Sequence, residues 1–482
     1  MTRIKFISYT IIGVLNLSLS SCSDSFLEVD PKGRILAKEV VDYRNLFYNN
    51  NLLSNGSSAE VQIAMGDDAT AFSDYLASAQ EYTQRGFRWE QELYTEEQDA
   101  GEFTSLMAQV YVLNKIANEV GDAEGGTVAE KQLIAAEARA TRAWHYFMLI
   151  NYYGKPYDVN TASTDPGFPI VTEADVAIEN YTRASVQQVY DFMINDITES
   201  IPLLPQNTDV RTRITLAAAE ALLGKIYLFM GKYEEALVQF NLSFSHLPTS
   251  FEVGLFNYNE TLTSGGAWYY APTINSYTGA PLPWRSLESL FARQIQSQWV
   301  NVSNEILLNP ETYALFGSDD KRALFFTRKP GLAAAGTVFP TPNVYRKYAP
   351  SSSVAYGITM PDLYLMRAEC EARVGSVDRA LVDLHTLRSK RTSEAQIFIN
   401  DRTQLIRFII DERRREFALQ GFRWFDMRRL SKDPLFANTV YTHVLYNSTG
   451  EVQERFTLSP ARLTLRLPAK VRLYNPDMPE NP

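Results

Sequence analysis

Two cysteines in 482 residues, Cys22 and Cys370, leave no material for a disulfide framework and match no paired-cysteine metal motif. Histidine is nearly as scarce: His145, His246, His385 and His443 stand far apart without ligand spacing. No HExxH helix, nucleophile elbow or glycine-rich phosphate loop occurs, so zinc, serine-hydrolase and nucleotide chemistry have no support. Positive charge is in deficit too. Lys plus Arg number 46 against 56 Asp plus Glu, a net charge of −10, whereas a nucleic-acid binder carries a basic footprint. No apolar run reaches the ~20 residues that cross a bilayer as a helix. What the chain does have is apolar and aromatic material: 45% hydrophobic and 12% aromatic, with 27 Tyr, 26 Phe and 6 Trp. That supports a large core, excludes wholesale disorder, and supplies flat rings with polar edges suited to binding surfaces.

The N-terminus reads as an export signal. Arg3 and Lys5 precede an apolar stretch from Ile7 to Leu19 that is diluted by Ser8, Thr10, Asn16 and Ser18. Leu19-Ser20-Ser21-Cys22 closes it and resembles the lipobox of bacterial lipoproteins, which implies lipidation of Cys22 as the mature N-terminus. Stable anchoring needs two or more acyl chains, which such a modification supplies. Cys370, in the helical pattern Tyr364-Leu365-Met366-Arg367-Ala368-Glu369-Cys370, reads as an inert core residue.

Past a polar tether over Ser23 to Lys32, helical periodicity dominates. Leu106, Val110, Leu113, Ile116 and Ala117 recur at three and four spacing, and a second helix runs from Glu130 to Tyr153 until Gly154-Lys155-Pro156 stops it. Leu223-Gly224-Lys225-Ile226-Tyr227, Gly231, Ala236, Phe240 and Pro248 stand at the offsets of a tetratricopeptide unit, with Glu220 in place of the usual Trp. Ala368, Gly375, Ala380 and Leu384 repeat it more weakly, and a last helical block spans Leu405 to Leu430. Stacked helix pairs of this kind bury their apolar sides against one another. Between Phe251 and Val300 the composition shifts. Ten of those fifty residues are aromatic, including Trp268, Trp284 and Trp299, among Gly265, Gly266, Pro272, Gly279, Pro281 and Pro283. Rings on irregular loops are harder to explain as core than rings at helical spacing. Lys329 to Gly357 reads as a long surface loop.

Three polar features invite chemistry. His145, between Trp144 and Tyr146, reads as a satisfied structural histidine. Asp67-Asp68 after Gly66 reads as a solvated turn, with a calcium or ligand contact as the alternative. Adjacent residues on an extended chain point apart, unlike the facing carboxylates of a glycosidase. Glu412-Arg413-Arg414-Arg415-Glu416 reads as a helical face paired at four spacing, Glu412 with Glu416 and Asp411 with Arg415 sharing that register.

Several blocks together resemble the SusD/RagB family, the nutrient-binding surface lipoproteins of Bacteroidetes. They are Cys22 with Asp24-Ser25-Phe26-Leu27-Glu28 and Asp30-Pro31; Tyr111 to Val120; Ala136-Glu137-Ala138-Arg139-Ala140-Thr141-Arg142-Ala143 leading to Tyr152-Tyr153-Gly154-Lys155-Pro156; Ala368-Glu369; and Glu412-Arg413 through Gly421-Phe422-Arg423-Trp424-Phe425-Asp426-Met427-Arg428-Arg429. Met360-Pro361, Val471 and the ending at Asn481-Pro482 depart from the family pattern. The resemblance implies an all-α fold of tetratricopeptide-like pairs in a right-handed scaffold with an irregular ligand-binding insertion. It implies signal residues 1–21 and one domain over 22–482: scaffold 40–250 and 358–430, insertion 251–357, tail 431–482. It also implies an outer-membrane lipoprotein facing the cell exterior, the non-catalytic lid of a SusC-like TonB-dependent transporter, binding an oligosaccharide or, in some members, a peptide. A tetratricopeptide-type docking scaffold and a surface glycosidase are the rival readings. No cofactor, metal or nucleic acid is expected. The expected stacking platform draws on Trp268, Tyr269, Tyr270, Tyr277, Trp284 and Trp299, with Phe72 and Tyr75 as a second wall beside Asp67 and Asp68.

Overall fold

Thr127 and Glu130 begin the long second helix by capping each other. The Thr127 hydroxyl accepts the Glu130 N–H at 3.2 Å, and the Glu130 carboxylate accepts the Thr127 N–H at 2.9 Å. At its far end a Cβ on Gly154 would lie 2.2 Å from Ile150 Cδ1, so the Ile150 side chain would have to shift, and Pro156 forbids continuation. The structure, a computed structural model, describes residues 37–482 apart from 50–51, 54–59, 176, 178–180, 269, 272–275, 278–280 and 335, and does not describe the side chains of 270–271 and 276–277. The signal segment, Cys22 and the tether lie outside the described residues.

The longer helices are α1 (Gly101–Glu119), α2 (Val128–Tyr153), α3 (Val186–Ser200), α4 (Leu216–Phe229), α5 (Tyr233–Ser245), α6 (Met360–Arg373), α7 (Val377–Arg388), α8 (Arg402–Glu416) and α9 (Phe422–Leu430). They pack largely in chain order: α1 on α2, α2 on α3, α4 on α5, α5 on α6, and α6 on both α7 and α8. The α4–α5 contact shows why the small residues recur. A Cβ on Gly224 would meet the Phe240 ring at 2.6 Å and the Ala236 carbonyl at 3.2 Å, so only glycine admits this approach. Gly421, at φ +84°, breaks α8 from α9.

The chain is largely helical, as expected, but the all-α expectation omits a small sheet. Four strands, β1 (Ala69–Phe72), β3 (Leu307–Leu308), β5 (Thr442–Tyr446) and β6 (Val452–Thr457), lie in the order β6-β5-β1-β3. β1 and β5 run parallel, with Phe72 opposite Tyr446. Residues 251–357 form short strands, single turns and loops, among them β2 (Gln294–Gln296) paired antiparallel with β4 (Ser353–Ala355). The stretch 329–357 corrects its reading as a surface loop: Phe339, Val344, Val354 and Tyr356 are buried, because its apolar residues sit on the helices and sheet beneath.

The charged run of α8 is also corrected. Glu412 is buried and the side chain of Glu416 nearly so, and both pair mainly with arginines from elsewhere rather than along an exposed face. Arg322 lies 2.7 Å from Glu412 and 2.9 Å from Glu416, Arg388 2.7 Å from Glu412, and Arg391 2.7 Å from Glu416 and 2.8 Å from Glu288. Asp411 pairs with Arg414 at 3.4 Å, not with Arg415, which turns inward to Glu412 at 2.8 Å. On the neighbouring turns Arg413 bridges Asp362 (2.7 Å) and Asp426 (2.9 Å), Arg429 bridges Glu369 and Asp426 (2.8 Å each), and Lys225 reaches Asp362 at 2.9 Å. Burial alone would raise these carboxyl groups. The guanidinium groups outweigh it, holding Glu369 and Asp426 at about 2 and Glu412 well below the usual range.

Replacing one member strands the others. Glu412→Gln should cost about 3–5 kcal/mol in chemical denaturation, since it leaves Arg322, Arg388 and Arg415 short of their shared counter-charge. A loss below ~1 kcal/mol would mean that the pairs are not coupled.

Candidate functional site

Two of the tryptophans expected on a platform line separate cavities. The larger, about 590 Å³, is walled by Trp284, Phe251 and Tyr48, with Asp209, Arg211, Arg293 and Gln294 among its polar groups. Trp284 sits half-buried in the single turn Pro283–Arg285, where the two flanking prolines Pro281 and Pro283 exclude a regular helix. The loop carrying Asp209 and Arg211 is joined to the strand region by the Ala292 N–H donating to the Arg211 carbonyl at 2.8 Å. Gln294 stands at the start of β2.

The polar groups here are only partly engaged. The Tyr48 hydroxyl donates to Asp209 at 2.9 Å. Arg211 donates to the Ser289 carbonyl at 2.9 Å and stacks its guanidinium 4.2 Å from the Phe251 ring centre. Arg293 donates to the carbonyls of Thr212 (3.0 Å) and Ala292 (2.7 Å) and lies 4.0 Å from the Phe291 ring centre. Burial lowers Arg293 to about 9. Its Nε, and the side-chain oxygen of Gln294, have no hydrogen-bond partner among the described residues, and both are enclosed within the wall rather than open to the cavity.

The other expected residues are placed differently. Trp268 is 7% exposed and packs 4.3 Å from Phe256 and 5.6 Å from Tyr258, edging a smaller cavity of about 160 Å³ beside Lys347. Trp299 is 5% exposed. Phe72, on β1, is 2% exposed, stacked on Phe339 at 5.5 Å, with Tyr75 half-buried at its edge. These three rings are packing residues rather than open faces, which corrects their assignment to an exposed platform: each lies where apolar neighbours cover it. Tyr269 falls outside the described residues. Tyr270 and Tyr277 are register partners in a two-stranded ribbon. Trp284 is therefore the one described tryptophan of the set that is neither buried nor in the main core. Phe251 bordered the aromatic stretch in sequence, but Tyr48, Asp209, Arg211 and Gln294 carry no motif; only their position in loops was visible.

Asp67 and Asp68 are neither a solvated turn nor a ligand contact open to solvent. Asp67 is ion-paired with Arg423, which outweighs burial and lowers its carboxyl. Asp68 accepts the Leu419 N–H at 2.8 Å, and burial pushes it up to about 6. Both clasp the start of β1 to the α8–α9 turn. His145 is a structural residue, its ring nitrogens 2.8 Å from the Thr141 carbonyl and 2.6 Å from the Gln109 side chain, with burial lowering it to about 3. Cys370 is buried and free. Among the described residues no group of three or more His, Cys, Asp or Glu could hold a metal ion, and no helix is long and apolar enough to cross a membrane.

A family model described as "Starch-binding associating with outer membrane" matches residues 25–228, and one described as "SusD family" matches 354–464. A SusD-like protein of Bacteroides ovatus is 24% identical over 489 residues, covering 86% of this chain and 81% of its own. A SusD superfamily protein of Bacteroides thetaiotaomicron superposes with a TM-score of 0.71 at 18% identity, covering 92% of this chain and all of its own. A laminarin-binding SusD-like protein does so with a TM-score of 0.57 at 17% identity, covering 92% and 97%.

The raised carboxyl of Asp68 makes a signed prediction. The folded state keeps a proton that the unfolded state has lost, so this group's stabilising contribution falls as pH rises from about 4 to its folded value of about 6 and is flat above. Asp68→Asn should remove that limb, on the order of 2–3 kcal/mol, from the stability–pH curve. An unchanged curve between pH 4 and 6 would contradict the assignment.

Proposed function

Since the chain belongs to the SusD/RagB family, we propose that it is a glycan-binding lipoprotein of the outer membrane that forms the lid of a SusC-type TonB-dependent transporter. Residues 1–21 are the signal, Cys22 carries the lipid, and the chain faces the cell exterior. Residues 22–482 act as one domain in which tetratricopeptide-like pairs at 40–250 and 358–430 form the scaffold, 251–357 the inserted ligand-binding region and 431–482 the tail. The protein grips an oligosaccharide for import and does not cleave it.

The observation that carries this reading is the cavity at Trp284. A sugar ring presents C–H groups on its faces and hydroxyls around its edge. Trp284 and Phe251 offer apolar ring surface, while Tyr48, Asp209, Arg211 and Gln294 bring polar groups to the same cavity. That pairing of a flat apolar wall with a few convergent polar groups is how small-ligand sites divide their work. Tyr269, Tyr270 and Tyr277 stay among the proposed ligand-binding residues on composition alone. The laminarin-binding relative supports carbohydrate as the ligand class.

The test separates binding rings from packing rings. Trp284→Ala should weaken retention on glycan-containing affinity gels roughly tenfold or more, as for a residue at the centre of a contact, with little change in melting temperature. Trp268→Ala, which empties a buried site, should instead lower stability by about 3–5 kcal/mol. Unchanged retention by Trp284→Ala would reject this cavity as the glycan site.

A further inference from the structure

One loop, residues 207–213, ties several parts of the Trp284 cavity together. The Asn207 side chain accepts the N–H groups of Thr249 (2.7 Å) and Ser250 (3.0 Å), and the Ser250 hydroxyl donates to the Thr208 carbonyl at 2.7 Å, which fixes the chain just before Phe251. Arg211 donates to the carbonyl of Ser289, in the segment that follows Trp284. Asp209 accepts the Tyr48 hydroxyl through its Oδ2 at 2.9 Å, 161 positions away in sequence. Arg213 anchors this loop without lining the cavity. Its backbone N–H donates to the Val210 carbonyl at 3.3 Å, and its Nε donates to the buried Glu137 carboxylate on α2 at 3.0 Å. The same guanidinium lies 5.7 Å from the Phe47 ring centre and donates toward the Tyr48 hydroxyl. The Tyr48 oxygen is therefore held between Arg213 and Asp209.

Tyr43, Tyr94 and Tyr153 also donate to carboxylates, but all three are buried and line none of this cavity. Tyr48 and Asp209 both line it, Tyr48 is 45% exposed, and Asp209 is exposed as well. Among the described residues the second oxygen of Asp209 accepts no hydrogen bond. An exposed carboxylate ordinarily turns freely and loses that freedom when it binds. Here the Tyr48 hydroxyl fixes it beforehand, and preorganisation of this kind raises affinity by removing part of the ordering cost. Building on the glycan-binding reading, we propose that Asp209 is the residue that reads the sugar's hydroxyls, and that Tyr48 and Arg213 are the positioning residues that orient it. An ionised carboxylate only accepts, so it requires a ligand whose edge carries free hydroxyl donors, and charge-assisted bonds of this type are about twice as strong as neutral ones.

Calorimetric titration of the full mature chain with laminarihexaose, maltohexaose, cellohexaose and xylohexaose selects the probe, and the variants are titrated with whichever binds most tightly. Asp209→Ala should weaken it roughly 10- to 100-fold, the range for one charge-assisted hydrogen bond. Tyr48→Phe keeps the ring but releases the carboxylate, and should weaken binding roughly two- to tenfold. Arg213→Lys keeps the charge but loses the fork that holds Glu137, and should weaken binding by a similar factor. The decisive readout is the double-mutant cycle. Because both residues act through Asp209, neither Tyr48→Phe nor Arg213→Lys should weaken binding further once Asp209 is replaced by Ala. A merely structural role would weaken both backgrounds alike. Tyr48 and Asp209 are exposed, so their cycle decides the proposal whatever Arg213→Lys does to the melting temperature. Unchanged affinity in Asp209→Ala, or additive losses in the Tyr48–Asp209 cycle, overturns the proposal; where Trp284→Ala still weakens binding, the glycan-binding reading stands. Binding of none of the four hexasaccharides by the native chain overturns both.

Discussion

Everything that positions the candidate site depends on a buried lattice of arginines and carboxylates between helices. Asp362 and Glu369 on α6, Glu412, Arg413 and Glu416 on α8, and Asp426 and Arg429 on α9 each share more than one partner. Such a lattice adds little over an apolar core of the same volume, but breaking it is expensive, so it enforces one arrangement of helices. Arg391 carries it outward to the site. It joins Glu416 to Glu288, four residues after Trp284, and Glu288 also accepts the Phe256 N–H at 2.9 Å. The irregular segment that bears the aromatic wall is thereby held by charge where periodic packing cannot hold it.

Much of the scaffold could be read from the chain. The Gly224–Phe240 contact, the stop at Gly154 and the break at Gly421 follow from local sterics that a sequence displays directly. The α8 run was misread because spacing along one helix says which residues share a face, not what that face meets. Arg322 lies 90 residues from its partner Glu412 and Arg391 25 residues from its partner Glu416, and no periodicity announces them. The small sheet escaped for a similar reason: β1 and β5 pair across more than 370 positions, and Leu307–Leu308 is too short to show alternation.

The site was legible by composition and not by residue. An aromatic-rich, helix-breaking stretch drew attention to 251–300, yet a ring's chemistry is the same whether it faces solvent or core. Trp268 went inward beneath Phe256 and Tyr258, and Trp299 joined the main core, while Trp284, on a proline-framed turn, kept an edge on the cavity.

The proposed role requires the cavity walled by Trp284, Phe251 and Gln294 to grip an intact sugar. A crystal structure of the protein grown with a size-fractionated mixture of plant and algal oligosaccharides tests that most directly. The account predicts an uncleaved saccharide with one ring against Trp284 and a hydroxyl within hydrogen-bond distance of the Gln294 side chain. A saccharide seated on another face of the molecule, or a shortened product in this cavity, would contradict it.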